Sequence, residues 1–215
     1  MYRHQQIFLK QWLNNKRRKP LIIRGARQVG KSTLVELFAA EQSCRLMNVN
    51  LERYPGLAET FSSNDPQQIL RALELLPKIP SYTDDALLFL DEIQSTSEAI
   101  PALRYFYEDK PELPVIAAGS LLEFTLANHN FSMPVGRVQY LHMGPMTLTE
   151  FLMAIGELKL SDFILNYTLD TTVPLVAHQR LLSLLRDYYF VGGMPEAVEC
   201  FADTNSYRAV SEVHN

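Results

Sequence analysis

At 215 residues, with 47% hydrophobic and 20% charged side chains and a formal net charge of −4, the chain can bury one full core and part of a second. This balance excludes a disordered chain and a globally basic nucleic-acid binder, and two cysteines outside any C-x-x-C pattern, Cys44 and Cys200, exclude a disulfide scaffold and argue against a structural zinc site. Charged residues interrupt every apolar run well short of the roughly 20 residues that span a bilayer, and the first six residues lack a signal-peptide core, so a cytoplasmic protein in a reducing compartment is expected.

The first predicted element is a helix over residues 7–13, with Ile7, Phe8, Trp12 and Leu13 assigned to its packed face. A basic run, Lys16-Arg17-Arg18-Lys19, follows and reads either as a solvated connector or as a local phosphate-binding patch. Pro20 closes it, and Leu21-Ile22-Ile23 forms a short buried strand. Gly25-Ala26-Arg27-Gln28-Val29-Gly30-Lys31-Ser32-Thr33 comes next and fits G-x-x-x-x-G-K-[ST], the Walker A phosphate loop, in its required place between a strand and an amphipathic helix running to about Ala40. The glycines let backbone N–H groups and the helix N-terminus converge on phosphates, while Lys31 reaches the terminal phosphates and the Ser32 hydroxyl serves magnesium.

A second strand is expected over residues 45–51, with Met47, Val49 and Leu51 alternating inward, and Pro55-Gly56 ends it. Asp65-Pro66 marks a helix start, with Ile69, Leu70, Leu73 and Leu76 as its apolar stripe. Ala86-Leu87-Leu88-Phe89-Leu90 is a continuous apolar run of the kind found in a central parallel strand, and Asp91-Glu92 follows it directly. A helix over residues 97–108 turns Ile100, Leu103 and Phe106 inward; Val115-Ile116-Ala117-Ala118 forms the next strand and runs into Gly119-Ser120. A polar loop at residues 128–132 and Gly136-Arg137 precede a fifth strand over 138–143. Strands alternating with helices predict an α/β fold: a five-stranded parallel sheet flanked by helices. Beyond Thr147 the reading is helical, over 148–155, 163–169 and 175–190, with a pivot at residues 191–196. The expected organisation is therefore a phosphate-loop domain over residues 1–156 and a small helical appendage over 157–215.

Asp91-Glu92 is the second nucleotide motif. The aspartate at a strand end holds magnesium beside Ser32, and Glu92 is placed to polarise a water for in-line attack on the terminal phosphate. That acid favours hydrolysis over transfer to a hydroxyl acceptor. The only Asn-Lys, Asn15-Lys16, precedes the phosphate loop, so a guanine-reading Asn-Lys-x-Asp element is missing and ATP is the expected nucleotide. Ser120 reaches the same cleft if its strand lies between the other two, where its hydroxyl bonds the attacking water or the terminal phosphate; alternatively Gly119-Ser120 turns the chain into a helix at Leu121. Arg137 is either an ordinary surface arginine or a cation that neutralises the transferring phosphoryl group, in its own site or a neighbour's. Asn50 and Glu52 end strand two at the same sheet edge without a defined role, and His129, His142 and His178 form no metal-ligand spacing.

Taken together, the 25–33 loop, Leu90-Asp-Glu-Ile-Gln94, Ala118-Gly-Ser-Leu-Leu122, Gly136-Arg137, Pro145 with Thr149-Glu-Phe-Leu152, and Gly192-Gly-Met-Pro-Glu-Ala197 resemble the uncharacterised prokaryotic AAA+ ATPases related to the archaeal ATPases. The resemblance spans nearly the whole chain. It implies the roles given above for Lys31, Ser32, Asp91, Glu92 and Ser120, matches Arg137 to the family's Gly-Arg position, and implies a further C-terminal domain before which this sequence stops. The expected activity is magnesium-dependent ATP hydrolysis that switches or remodels a protein partner or a self-oligomer. The alternatives are a nucleotide-gated interaction module with little turnover and a DNA-dependent ATPase.

Overall fold

Side chains that alternate between two faces along each short strand set the architecture. In a computed structural model, which describes residues 1–120 and 136–214, strands β1 (Leu21–Arg24), β2 (Arg45–Asn50), β3 (Ala86–Asp91), β4 (Val115–Gly119) and β5 (Gln139–His142) form one parallel sheet in the order β2-β3-β4-β1-β5. Odd and even residues feed different cores. Ile22, Met47, Val49, Leu88, Leu90 and Ala117 point to one face, while Leu21, Ile23, Leu87, Phe89, Ile116 and Ala118 point to the other. Helices cover both faces, which is why β3 reads as an unbroken apolar run.

On the second face lie α1 (Gln5–Asn14), through Leu9 and Trp12, and α2 (Lys31–Glu41), through Leu34, Val35 and Phe38. On the first lie α3 (Leu57–Ser62), α4 (Pro66–Glu74) and α5 (Ala99–Asp109), through Phe61, Leu73, Leu103 and Phe106 among others. The Asp65-Pro66 start is realised as an N-cap: Asp65 Oδ1 accepts from the N–H groups of Gln67 (2.8 Å) and Gln68 (3.3 Å). Ile7 is a correction, being 53% exposed. Phe8 and Trp12, and Leu9 and Leu13, are the i, i+4 pairs of this helix, so Ile7 falls outside their stripe. The helix α3 was not anticipated, because Pro55-Gly56 signals only an end.

Two compact units divide the described chain, residues 7–143 and residues 1–6 with 144–215. The first holds the sheet. The second is helical: α6 (Leu148–Ala154), α7 (Leu158–Leu165), α8 (Leu175–Val191), α9 (Pro195–Thr204) and α10 (Tyr207–Val213) surround a core of Met146, Phe151, Leu152, Leu184, Val198 and Phe201. Among the described residues no strand follows β5. The helix expected over 163–169 instead ends at Leu165, capped by Asn166, and Leu169 is 95% exposed. Tyr188 packs on Phe151 and donates to Met146 O at 2.7 Å, whereas Tyr189 is exposed. Tying the chain's first residues into this unit is a buried ion pair, Arg3 Nε to Glu150 Oε1 at 3.1 Å. No helix among the described residues is long and apolar enough to cross a membrane.

Candidate nucleotide site at the carboxyl edge of the sheet

Parallel strands deliver their following residues to one edge. The register pairs Arg24 with Gly119, Leu90 with Ala117 and Asn50 with Asp91, so the 25–33 loop, Asp91-Glu92 and Ser120 all emerge at the carboxyl ends of adjacent strands. As the sequence argument for Ser120 required, β4 lies between β1 and β3.

The loop is shaped by backbone constraints. A Cβ on Gly25 would stand 2.0 Å from Met143 O, so only glycine allows the loop to start this close to the end of β5. Gly30 closes the loop at φ 89°, a left-handed conformation, and α2 begins at the next residue with its free N–H groups facing the loop. The Lys31 side chain is buried and folds onto the loop, donating to Gly25 O at 3.0 Å and Ala26 O at 2.7 Å. Burial holds its pKa below the ordinary lysine value, against the opposing charges of Glu92 and Asp91.

Next to the loop, Ser32 Oγ donates to Asp91 Oδ2 at 2.8 Å, and Asp91 Oδ1 accepts the Glu92 N–H at 3.1 Å. Burial raises the Asp91 pKa, with these two hydrogen bonds pulling the other way. Serine hydroxyl and aspartate carboxylate are hard oxygen donors. A pair of them beside a phosphate loop fits magnesium, which keeps waters and phosphate oxygens in its remaining positions and needs no all-protein cage. No cluster of three or more His, Cys, Asp or Glu side chains suited to a metal occurs among the described residues.

Glu92 adopts a left-handed backbone, φ 53° and ψ 46°, and its Oε2 accepts a hydrogen bond from Gln94 Nε2. Sequence reasoning gave Gln94 no role of its own, although it closes the Leu90–Gln94 motif that carries the family resemblance. Ser120 Oγ is buried without a hydrogen-bond partner among the described residues. The proposed helix start at Leu121, the 128–132 loop and His129 lie outside the described residues.

The other candidates separate from this group. Arg137 precedes β5, at the amino edge of the sheet, whereas Gly25 follows β1 at the carboxyl edge. Its Nε donates to Glu108 Oε1 at 3.0 Å, a carboxylate shared with Arg104. The own-site role for Arg137 therefore has no support in the geometry: its strand register puts it at the far end of the sheet. Arg27, Gln28 and Thr33 belong to the loop by position, with Gln28 left-handed at φ 63°. Asn50 acquires a structural role, since its Oδ1 caps the turn at Leu51–Arg53 by accepting from Arg53 N. In the basic run, Arg18 donates to the carbonyls of Leu13 and Glu112, so one of its four cations is tied to the protein's own backbone.

A family model described as an AAA domain matches residues 17–152. No curated protein matches the chain. Among solved structures, one titled "Structure of Drosophila ORC bound to DNA" is similar, with a TM-score of 0.52 and 14% identity over 96% of this chain. The chain spans 64% of that protein's length. At this identity the likeness is one of fold.

Proposed function

Because the chain belongs to the AAA domain family, matched over residues 17–152, and is a nucleotide-binding, ATPase-type module, we propose that it binds ATP with magnesium and hydrolyses it to switch or remodel a partner. The observation that carries this reading is the Ser32–Asp91 hydrogen bond, which joins the phosphate loop to the Asp-Glu strand end. Residues 25–33 cradle the phosphates through backbone N–H groups, and Lys31 transfers its two hydrogen bonds from loop carbonyls to terminal phosphate oxygens. Ser32 and Asp91 would hold magnesium, which when bound would offset negative charge on the phosphates. Glu92 accepts a proton from water as the water oxygen attacks the terminal phosphorus in line; the bond to the bridging oxygen breaks, and ADP and phosphate leave. Ser120, whose buried hydroxyl has no hydrogen-bond partner among the described residues, donates to the terminal phosphate. Arg137 acts, in this reading, on a neighbouring copy's site.

The deciding experiment is Glu92→Gln, which removes the base and leaves the phosphate loop intact. It should retain ATP binding and lose about 10²–10⁴-fold in turnover; unchanged phosphate release would sink the hydrolytic assignment. A DNA-dependent form of the activity is less favoured, since the basic run on which it rests already spends Arg18 on backbone carbonyls.

A further inference from the structure

We propose that Gln94 is a positioning residue for hydrolysis, holding the Glu92 carboxylate by one oxygen so that the other faces the attacking water. The inference rests on the hydrolytic reading of the site.

Three observations carry it. First, the Gln94 side-chain N–H donates to Glu92 Oε2, the only hydrogen bond assigned to the Glu92 carboxylate among the described residues. An amide beside a carboxylate must present its nitrogen, so the orientation of the Gln94 side chain follows from chemistry. Second, that orientation leaves Gln94 Oε1 buried and without a donor among the described residues. A buried acceptor left unpaired costs stability, and such groups call for an explanation other than packing. Third, Glu92 is held left-handed, a conformation that non-glycine residues rarely adopt, and Glu92 O accepts from Ser95 N at 2.9 Å in the tight turn over Ile93–Ser95 that brings Gln94 back toward Glu92. The fold thus accepts two local costs, both of which serve to fix one carboxylate.

The consequence is chemical. A free glutamate side chain samples several rotamers, and a base is effective only while within hydrogen-bond reach of the proton it takes. Anchoring Oε2 leaves Oε1 as the acceptor and removes rotation about the terminal bond. Asp91, one residue earlier, is separately fixed by Ser32 and the Glu92 N–H, so the two carboxylates keep distinct partners and distinct tasks.

The test is single-turnover and steady-state hydrolysis of ATP by the full chain, with nucleotide binding measured in parallel. Gln94→Ala and the near-isosteric Gln94→Glu, which keeps the shape but loses the donor, should each lower kcat by about 10-fold or more while KM and ADP affinity stay within about 2-fold. Introduced into Glu92→Gln, Gln94→Ala should cause no further loss, because the two residues act as one unit. Unchanged or raised kcat in both single variants would overturn the proposal, and so would a loss that adds in full to that of Glu92→Gln. Wild-type turnover that survives Glu92→Gln would instead overturn the hydrolytic reading, a separate and recognisable failure.

Discussion

Ser32 and Asp91, 59 residues apart in sequence, share a 2.8 Å hydrogen bond that fastens the first turn of α2 to the end of β3. The phosphate loop leads into that link and Glu92 and Gln94 follow it within three residues, while Ser120 reaches the same edge from the neighbouring strand β4.

Asp91→Asn keeps the size of the side chain and removes its charge. ATP affinity measured with and without magnesium should differ in the wild type and converge in this variant. Chelation of magnesium should abolish wild-type turnover, and added magnesium should restore it. A variant that still responds to magnesium like the wild type would remove Asp91 from the metal-binding set.

Gly25→Ala forces a methyl group onto Met143 O, a backbone atom just past the end of β5 whose own N–H is held by Arg24 O. Overpacking of this kind costs about 1–3 kcal/mol and occasionally more, and a clash at 2.0 Å belongs at or above the upper end. Trp12, the chain's one tryptophan, is buried in the same unit and reports its unfolding. The denaturant midpoint read from Trp12 fluorescence should fall; an unchanged midpoint would mean the close approach does not exist in solution.

Much of this site could be read from the sequence because its determinants are local. The phosphate loop is one continuous stretch whose glycines and lysine have fixed backbone duties, and Asp91-Glu92 follows an apolar run that only a central strand explains. The placement of β4 between β1 and β3, needed to bring Ser120 to the cleft, stands in the sequence only as a condition, because many strand orders fit one parallel sheet. What escaped were relations between residues whose meaning depends on side-chain direction. Gln94 is an unremarkable polar residue until the turn at Ile93–Ser95 aims it at Glu92. Arg137 matches the Gly-Arg position of the family the sequence resembles, but strand direction sends it to the other edge. The Arg3–Glu150 pair escaped as well: Glu150 closes a capping box with Thr147, and both of its hydrogen bonds form. Its arginine partner sits 147 residues away, beyond any local signal.

Arg137 supplies a test of assembly. If it serves a neighbouring copy, Arg137→Ala alone should lose turnover, and so should Glu92→Gln alone. Mixed together, they should regain part of it, because an Arg137→Ala site can then border an intact arginine from the other variant. Recovery should grow with protein concentration. Mixtures no more active than the sum of their components would dismiss this role.

Arg3→Ala strips the cation from a carboxylate that is 1% exposed, leaving Glu150, among the described residues, with the backbone N–H groups of His4 and Thr147 and the Thr147 hydroxyl as hydrogen-bond donors. Breaking a buried pair from one side costs about 3–5 kcal/mol. Hydrogen-exchange protection should drop in α6 through α10 while Trp12 fluorescence reports an unchanged transition for the unit formed by residues 7–143. Equal loss in both would contradict the division into two units.

That division also orders events during synthesis. The unit formed by residues 7–143 is a continuous stretch and can fold as soon as β5 has left the ribosome. The helical unit is discontinuous: residues 1–6 are made before the sheet unit, yet Gly144 and Glu150, the partners of Arg3, are made after it. Arg3 must therefore remain solvated while residues 7–143 are translated, and the helical unit closes only after the phosphate loop has been made. A nascent chain stalled just past β5 should already bind nucleotide while its N-terminal residues are still open to protease.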